Sequence, residues 1–573
     1  MSYIQNYNRW LNSDKLSADE IAELKAIAND EKEIRERFSC GLSFGTAGLR
    51  GIMKVGMNAM NVHTVSLATQ GLANYINKVG RASEGVVIGY DSRNNSELFS
   101  KTAAAVLAAN GIKSLIFDGI RPTPEISFAL RHLGCVSGIN VTASHNPKEY
   151  NGYKVYWDDG AQISLEIAAE ISEIISKTDV FDDIKTTDFD VAVKSGMISF
   201  LGADFDEKYL AAVEAEAVNP GVVKEVADEL KIVYSPLHGA GYKLVPEILR
   251  RIGLKHLFTV PEQAEPDGNF PSVKKPNPEY PDTFALGIDI ANNVKSDLVI
   301  ATDPDSDRFG AMARSKSGDF ITITGNQMGA LLLDYILTAY EETGTMPSEP
   351  YAIKTIVTTE LAAKVCAAHG VEIFNVLTGF KFIGEVIKNH EEEGHGSFVF
   401  GFEESYGYLK GNYCRDKDGV IASMLATEMT AYYKSKGMTL IDALEDLWDR
   451  IGYSFEKTEE LYIEGLDGAA KIAAIMEAFR NDMPREIGGV KVVSVGDYLN
   501  RYFINTDTGE KTHTGLPRSN VMYFSLENGD VVVARPSGTE PKIKFYYLIT
   551  SATKENSYQV FESYKKSIEK YNK

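Results

Sequence analysis

Apolar and polar positions along this chain change period in a repeating order. Residues 86–90 form a short apolar run, residues 96–110 carry Phe99, Ala103, Val106 and Leu107 at helical spacing, Gly111 follows, and residues 114–117 are apolar again. The order recurs at 232–235, with Leu244, Ile248 and Ile252, then Gly253 and 256–260. It recurs once more at 351–357, with Leu361, Val365 and Ala368, then Gly370 and 372–376. Each block predicts strand, helix, glycine just past the helix end, and strand. Helical crossovers imply mostly parallel or mixed sheets covered on both faces. Three such blocks at domain-sized intervals predict three related α/β domains.

The end of the chain changes character. Residues 520–526 and 531–534 flank the turn Glu527-Asn528-Gly529-Asp530, 542–549 read as another strand and 554–571 as a closing helix, an α+β module. Residues 17–38 read as a charged surface helix. The expected boundaries are 1–205, 206–314, 315–435 and 436–573.

Composition narrows the function classes. The 573 residues are 44% hydrophobic and 24% charged, with core material for several domains. No apolar run approaches the ~18 residues of a membrane span, and the charged N-terminus does not suit a signal h-region. A cytoplasmic location is expected. The four cysteines are far apart, so neither a disulfide framework nor a zinc knuckle is indicated. A net charge of −21, from 59 basic and 80 acidic side chains, repels nucleic acid and anionic membrane. An anionic ligand therefore needs a local cationic cluster.

Four loops carry the candidate chemistry. Thr142-Ala143-Ser144-His145-Asn146-Pro147 follows an apolar alternation (Ile139, Val141, Ala143), and Lys154 lies in the next strand-like run, 153–157. A hydroxyl on a polar turn with a cation nearby suits phosphate handling. Thr302-Asp303-Pro304-Asp305-Ser306-Asp307-Arg308 places three carboxylates at i, i+2 and i+4, able to converge on a hard divalent ion. A calcium EF-hand is excluded, because Arg308 and Arg314 stand where glycine and glutamate are required. Glu403-Glu404-Ser405-Tyr406-Gly407 offers paired acceptors and donors for sugar hydroxyls, with Thr378-Gly379-Phe380-Lys381 and Lys417 adding cations. Arg535-Pro536-Ser537-Gly538-Thr539-Glu540-Pro541-Lys542 is an anion cradle of one guanidinium, two hydroxyls, a lysine and a glycine. The wide spacing of the loops assigns each to its own domain.

Together with Gly45-Thr46-Ala47-Gly48-Leu49-Arg50, these ordered motifs resemble the α-D-phosphohexomutase superfamily over nearly the whole chain. The resemblance implies three mixed-sheet α/β domains and a C-terminal α+β domain around a central cleft. It implies that Ser144 carries a phosphoryl group and that Asp303, Asp305 and Asp307 hold Mg²⁺ with a phosphoserine oxygen. Glu403 and Ser405 would hold the sugar, supported by Thr378 and Gly379, and Arg535, Ser537, Gly538, Thr539 and Lys542 its phosphate. Arg50, His145, Lys154, Arg308, Lys381 and Lys417 would be the local cations, with Lys154 or His145 moving the hydroxyl proton.

The implied reaction interconverts a hexose 1-phosphate and 6-phosphate through a 1,6-bisphosphate. The aromatic after Ser405 resembles the glucose-directed branch, so glucose phosphates and glucose 1,6-bisphosphate are the expected ligands. Mannose, pentose and glucosamine phosphates, bisphosphate synthesis and a non-catalytic phosphosugar-binding role are the alternatives. No nucleic-acid or membrane partner is expected, and monomer and homodimer both remain open.

Overall fold

The charged segment 17–38 forms two helices rather than one. In the computed structural model, which describes residues 2–45, 48–463, 468–537 and 542–571, α1 (Tyr3–Leu11), α2 (Ala18–Ala26) and α3 (Glu31–Phe38) succeed one another. Ser17 and Glu20 form a capping box on α2, and the Asp30 side chain caps α3, which breaks the run. Tyr7, Trp10, Leu24, Ile34 and Phe38 bury a small core of their own, with Trp10 edge-on to Phe38 at 5.8 Å. The segment is a packed module whose charge lies mostly on its outer side, with Arg37 buried.

The chain divides into two compact units: Met1–Ile323, Gly384–His395 and Tyr406–Thr439 in the first, Thr324–Ile383, Gly396–Ser405 and Leu440–Lys573 in the second. The first unit holds two sheets. One comprises β1 (Leu49–Ile52), β2 (Val86–Tyr90), β3 (Ser114–Phe117), β4 (Ser137–Val141), β5 (Tyr150–Trp157) and β6 (Ile198–Leu201), ordered β1-β5-β4-β2-β3-β6. β2 runs parallel to β3 and β4, whereas β5 is antiparallel to β4 and β1. Every residue of β2 and β4 is buried, as two-sided cover by helices requires. Helices α4 (Val62–Lys78), α5 (Ser96–Ala109) and α6 (Thr123–Leu133) supply that cover, and Leu72, Ile76, Phe99 and Leu107 pack with Ile88, Ile139 and Val155. β5 begins three residues earlier than the apolar run suggested, because Tyr150-Asn151-Gly152 pairs with β1. Gly48 has φ +72, and an added Cβ would come within 1.8 Å of the Tyr153 carbonyl oxygen. Only glycine lets the backbone at residue 48 lie against β5 beside Lys154.

The second sheet of this unit is β7 (Lys231–Ser235), β8 (His256–Thr259), β9 (Leu298–Thr302), β10 (Phe309–Arg314) and β11 (Phe320–Ile323), ordered β11-β10-β9-β7-β8. β7 is parallel to β8 and β9, while β9–β10 is an antiparallel pair whose connection is the aspartate loop.

In the second unit β12 (Pro350–Thr355) lies parallel to β13 (Glu372–Val376) and β14 (Ser397–Glu403). The helix Gly325–Thr343 packs so tightly on β14 that a Cβ at Gly329 would meet the Phe402 ring at 2.0 Å. This approach fixes the end of β14, where Glu403 stands. β15 (Gly407–Leu409) returns to the first unit. The C-terminal antiparallel sheet contains β16 (Phe455–Tyr462), β17 (Glu486–Ile487), β18 (Val490–Asp497), β19 (Tyr502–Asn505), β20 (Lys511–His513), β21 (Met522–Leu526), β22 (Val531–Pro536) and β23 (Lys542–Ile549). Its main order is β16-β23-β22-β21-β18-β19-β20. The closing helix, Ser557–Ile568, buries Phe561, Tyr564 and Ile568 in its core. The fold is therefore three α/β domains followed by a β-rich C-terminal domain. No helix among the described residues is long and apolar enough to cross a membrane.

Candidate active site

Ser144 stands just beyond the C-terminal end of β4 with φ +51, a left-handed conformation that non-glycine residues seldom adopt. It is 3% exposed, and its Oγ donates to Asp303 Oδ2 at 2.7 Å. His145 Nδ1 lies 3.1 Å from the same Oγ, and Arg50 Nη1 donates to Asn146 Oδ1 at 3.3 Å. Two loops 159 residues apart in sequence thus meet at one hydroxyl.

The aspartate loop turns back at Ser306, φ +52, and brings Asp303, Asp305 and Asp307 together, one oxygen of each within 4.8 Å of the others. All three are buried. Asp303 Oδ1 accepts the Arg308 backbone N–H at 2.9 Å. Asp305 Oδ2 accepts from Thr123 Oγ1 at 2.9 Å and from Lys154 Nζ at 2.8 Å. Asp307 Oδ2 takes Lys154 Nζ at 3.1 Å and Lys417 Nζ at 2.9 Å. The Oδ1 atoms of Asp305 and Asp307 are buried with no hydrogen-bond partner among the described residues. Buried carboxylate oxygens without a protein donor call for a cation or a water beside them, and an all-oxygen set of this size suits a hard divalent ion.

Electrostatics fit the same reading. Burial, then the charges of Asp305 and Asp307, push the Asp303 carboxyl well above the usual carboxylate range. Burial opposes ionisation of Asp307 too, but Lys154, Lys417 and Arg308 outweigh it and hold that carboxyl well below. Lys154 is likewise desolvated, yet Asp305 and Asp307 keep its pKa above the ordinary lysine value. Desolvation of the His145 ring, with the Arg308 and Arg50 charges, holds its pKa well below the usual range. Arg308 is anchored by Glu279 at 2.5 Å, and Asp416 receives Tyr156, Gln162 and Lys417.

In the second unit Glu403 Oε1 accepts the Gly379 backbone N–H at 2.8 Å, tying the end of β14 to the turn after β13. Gly379 has φ +122, and the Thr378 hydroxyl oxygen beside it is buried without a hydrogen-bond partner among the described residues. Glu404 Oε2 takes Thr355 and Thr358 hydroxyls at 3.3 and 3.4 Å. Lys381 Nζ lies 4.8 Å from the Phe382 ring centroid, and Ser405 follows Glu404 at the end of this segment. Arg535 Nη1 donates to the Tyr546 hydroxyl at 3.3 Å, and the Ser537 N–H to the Lys542 carbonyl at 2.8 Å. The Lys542 ammonium is engaged by Glu460 at 3.3 Å and by Tyr462 at 3.0 Å. Gly538 and Thr539, expected in the phosphate cradle, lie outside the described residues.

Reading the loops alone missed Asp91, Arg93, Thr123 and Asn140. Asn140 Nδ2 donates to Thr123 Oγ1 at 2.7 Å, and the Thr123 backbone N–H to the Asp305 carbonyl at 2.8 Å, so the start of α6 grips the aspartate loop. The available signal was Asp91-Ser92-Arg93 directly after the buried strand β2, where ligand-facing residues of parallel sheets gather.

Comparison with known proteins accords with this geometry. The chain matches phosphoglucomutase/phosphomannomutase alpha/beta/alpha domain I over residues 41–181, domain II over 207–316 and domain III over 324–451. It belongs to the phosphoglucomutase/phosphomannomutase family. It is 38% identical over 535 residues to the phosphoglucomutase of Staphylococcus saprophyticus, covering 93% of this chain and 95% of the relative. It is 37% identical over 517 residues to that of Staphylococcus aureus, covering 90% of each. Among solved structures, the open form of the Paramecium phosphoprotein parafusin aligns with TM-score 0.68 at 17% identity, over 93% of this chain and 95% of that one. A phosphoglucomutase/phosphomannomutase family protein from Burkholderia thailandensis aligns with TM-score 0.64 at 18% identity, over 92% and 97%. These two share the fold.

Proposed function

We propose that the chain interconverts α-D-glucose 1-phosphate and glucose 6-phosphate, with Ser144 as a reversible phosphoryl carrier and glucose 1,6-bisphosphate as intermediate. The observation that carries the phosphoryl chemistry is the 2.7 Å contact of Ser144 Oγ with Asp303 inside a buried three-aspartate cluster. The choice of glucose rests on relatives at 37–38% identity over about nine-tenths of both chains, each named phosphoglucomutase.

Asp303, Asp305 and Asp307 would hold Mg²⁺, which when bound supplies charge neutralisation and polarisation at a phosphoryl group on Ser144. In the forward direction the bond from the Ser144 oxygen to phosphorus breaks as a sugar hydroxyl oxygen bonds phosphorus. The hydroxyl loses its proton to His145 or Lys154, and His145 Nδ1 lies 3.1 Å from Ser144 Oγ. Lys154 is the better electrostatic partner for the transferring group, because Asp305 and Asp307 keep it charged. In the return step the bisphosphate gives its other phosphoryl group to Ser144. Glu403 and Ser405, with Thr378, Gly379 and Lys381, would bind sugar hydroxyls, and Arg535, Ser537, Gly538, Thr539 and Lys542 the non-reacting phosphate. Arg50, Arg308 and Lys417 complete the cationic surroundings that a chain of charge −21 requires for such a substrate.

Incubation with glucose 1-phosphate, Mg²⁺ and a trace of glucose 1,6-bisphosphate should yield glucose 6-phosphate. Faster turnover of mannose, ribose or glucosamine 1-phosphate would reassign the sugar, and no turnover of any would overturn the enzymatic reading.

A further inference from the structure

Both backbone polar groups of Ser144 are held from a single buried carboxylate. Asp91, directly after β2, and Arg93 have side chains with no exposed area, and Arg93 Nε lies 3.3 Å from Asp91 Oδ2. One path runs through Thr142, whose hydroxyl donates to Asp91 Oδ2 at 2.6 Å while accepting the Ser144 N–H at 2.8 Å. The other runs through Arg93. Its Nη2 donates to the carbonyls of Ser144 and Asn146, and its Nη1 to those of Pro147 at 2.9 Å and Tyr150 at 3.1 Å. Asp91 Oδ1 closes the arrangement by accepting the Arg93 N–H at 2.9 Å and the Ser96 hydroxyl at 2.8 Å. The Phe270 ring, 5.0 Å from the guanidinium, covers it.

We infer that the Asp91–Arg93 pair positions the phosphoryl carrier: it holds the 144–150 loop in the left-handed turn that aims Ser144 Oγ at the aspartate cluster. The inference rests on the proposed role of Ser144. A guanidinium is required because a planar fork reaches four carbonyls at once, whereas an ammonium is a point charge with three donors. Its hydrogen bonds go to the loop's backbone, so its action is on where the hydroxyl sits. Displacing a reacting group by about 1 Å costs about 10²-fold in rate.

The test compares wild type, Arg93→Lys and Thr142→Val in the mutase assay, in label transfer from glucose 1,6-bisphosphate to Ser144, and in amide exchange by mass spectrometry. Both variants should lose about 10²-fold in kcat with KM for glucose 1-phosphate within about threefold. Label transfer should slow by the same factor, and exchange should rise in the 144–150 peptide and not across the chain. Methylguanidine should restore part of the activity of Arg93→Ala. Wild-type kcat with unchanged exchange in Arg93→Lys and Thr142→Val would overturn the inference, as would faster exchange throughout the chain with kcat and KM altered together. Local loosening of the peptide in a protein whose wild type turns over no sugar phosphate would overturn the role of Ser144 and leave the structural hold standing.

Discussion

Lys154 Nζ sits 2.8 Å from Asp305 Oδ2 and 3.1 Å from Asp307 Oδ2, so a lysine from β5 already neutralises part of the aspartate cluster. An ion entering this cluster meets an ammonium attracted by the same carboxylates. Lys154→Met should therefore bind Mg²⁺ about tenfold more tightly, a change of ~1.4 kcal/mol, while kcat falls by about 10²–10⁴-fold. Calorimetric titration and steady-state kinetics on one preparation check both. Weaker ion binding would show that the lysine organises the cluster rather than competing within it.

The two orphaned oxygens predict dependence on an added divalent ion. EDTA should abolish mutase activity and excess Mg²⁺ restore it. Asp307→Asn should require at least tenfold more Mg²⁺ for half-maximal activity, since one charged ligand is lost. Full activity in EDTA would remove the metal from the reaction.

Ser144→Ala should lose on the order of 10³-fold or more in mutase activity and take up no label from glucose 1,6-bisphosphate. The left-handed turn is held by backbone contacts, so circular dichroism should remain that of wild type. Labelling at another residue would relocate the carrier.

Glu125 on α6 yields a pH-dependent prediction. Its side chain is buried, and Arg121 Nε is 4.0 Å from it but 2.6 Å from Asp206. Burial first, then the Asp206 charge, push its carboxyl well above the ordinary value despite Arg121. The folded chain keeps this proton at a pH where the unfolded chain has released it, so stability falls as pH rises above about 4.3 toward the folded value. Glu125→Gln removes that loss. The Tm gain over wild type should be larger at pH 8 than at pH 5.5, and about 1 kcal/mol of gain corresponds to ~1 °C in a chain of 573 residues. A gain that shrinks with pH would contradict the assignment.

Much of this architecture was legible because local periodicity carried it. The runs at 86–90, 114–117, 372–376 and 542–549 coincide with strands, and the aspartate spacing alone pointed to convergence. Contacts between distant segments were not legible. Lys154 reads as a nearby cation, but its partners lie 151 and 153 residues away. Arg93 looks like part of a polar surface turn, since nothing in Asp91-Ser92-Arg93-Asn94 signals a fully buried guanidinium. The N-terminal charges suggested a solvated helix because the partners that bury Arg37, namely Glu23, Glu33 and the Val55 carbonyl, are not visible in local periodicity.

The aspartate cluster has a further consequence for how the protein meets its environment. Lys154, Lys417 and the Arg308 amide supply countercharge and donors from within the fold. On the proposed reading a divalent ion held there would be a tenant and not a keystone, since part of its charge is already balanced by lysines of the fold. Activity would then follow the free ion concentration more steeply than the amount of folded protein does.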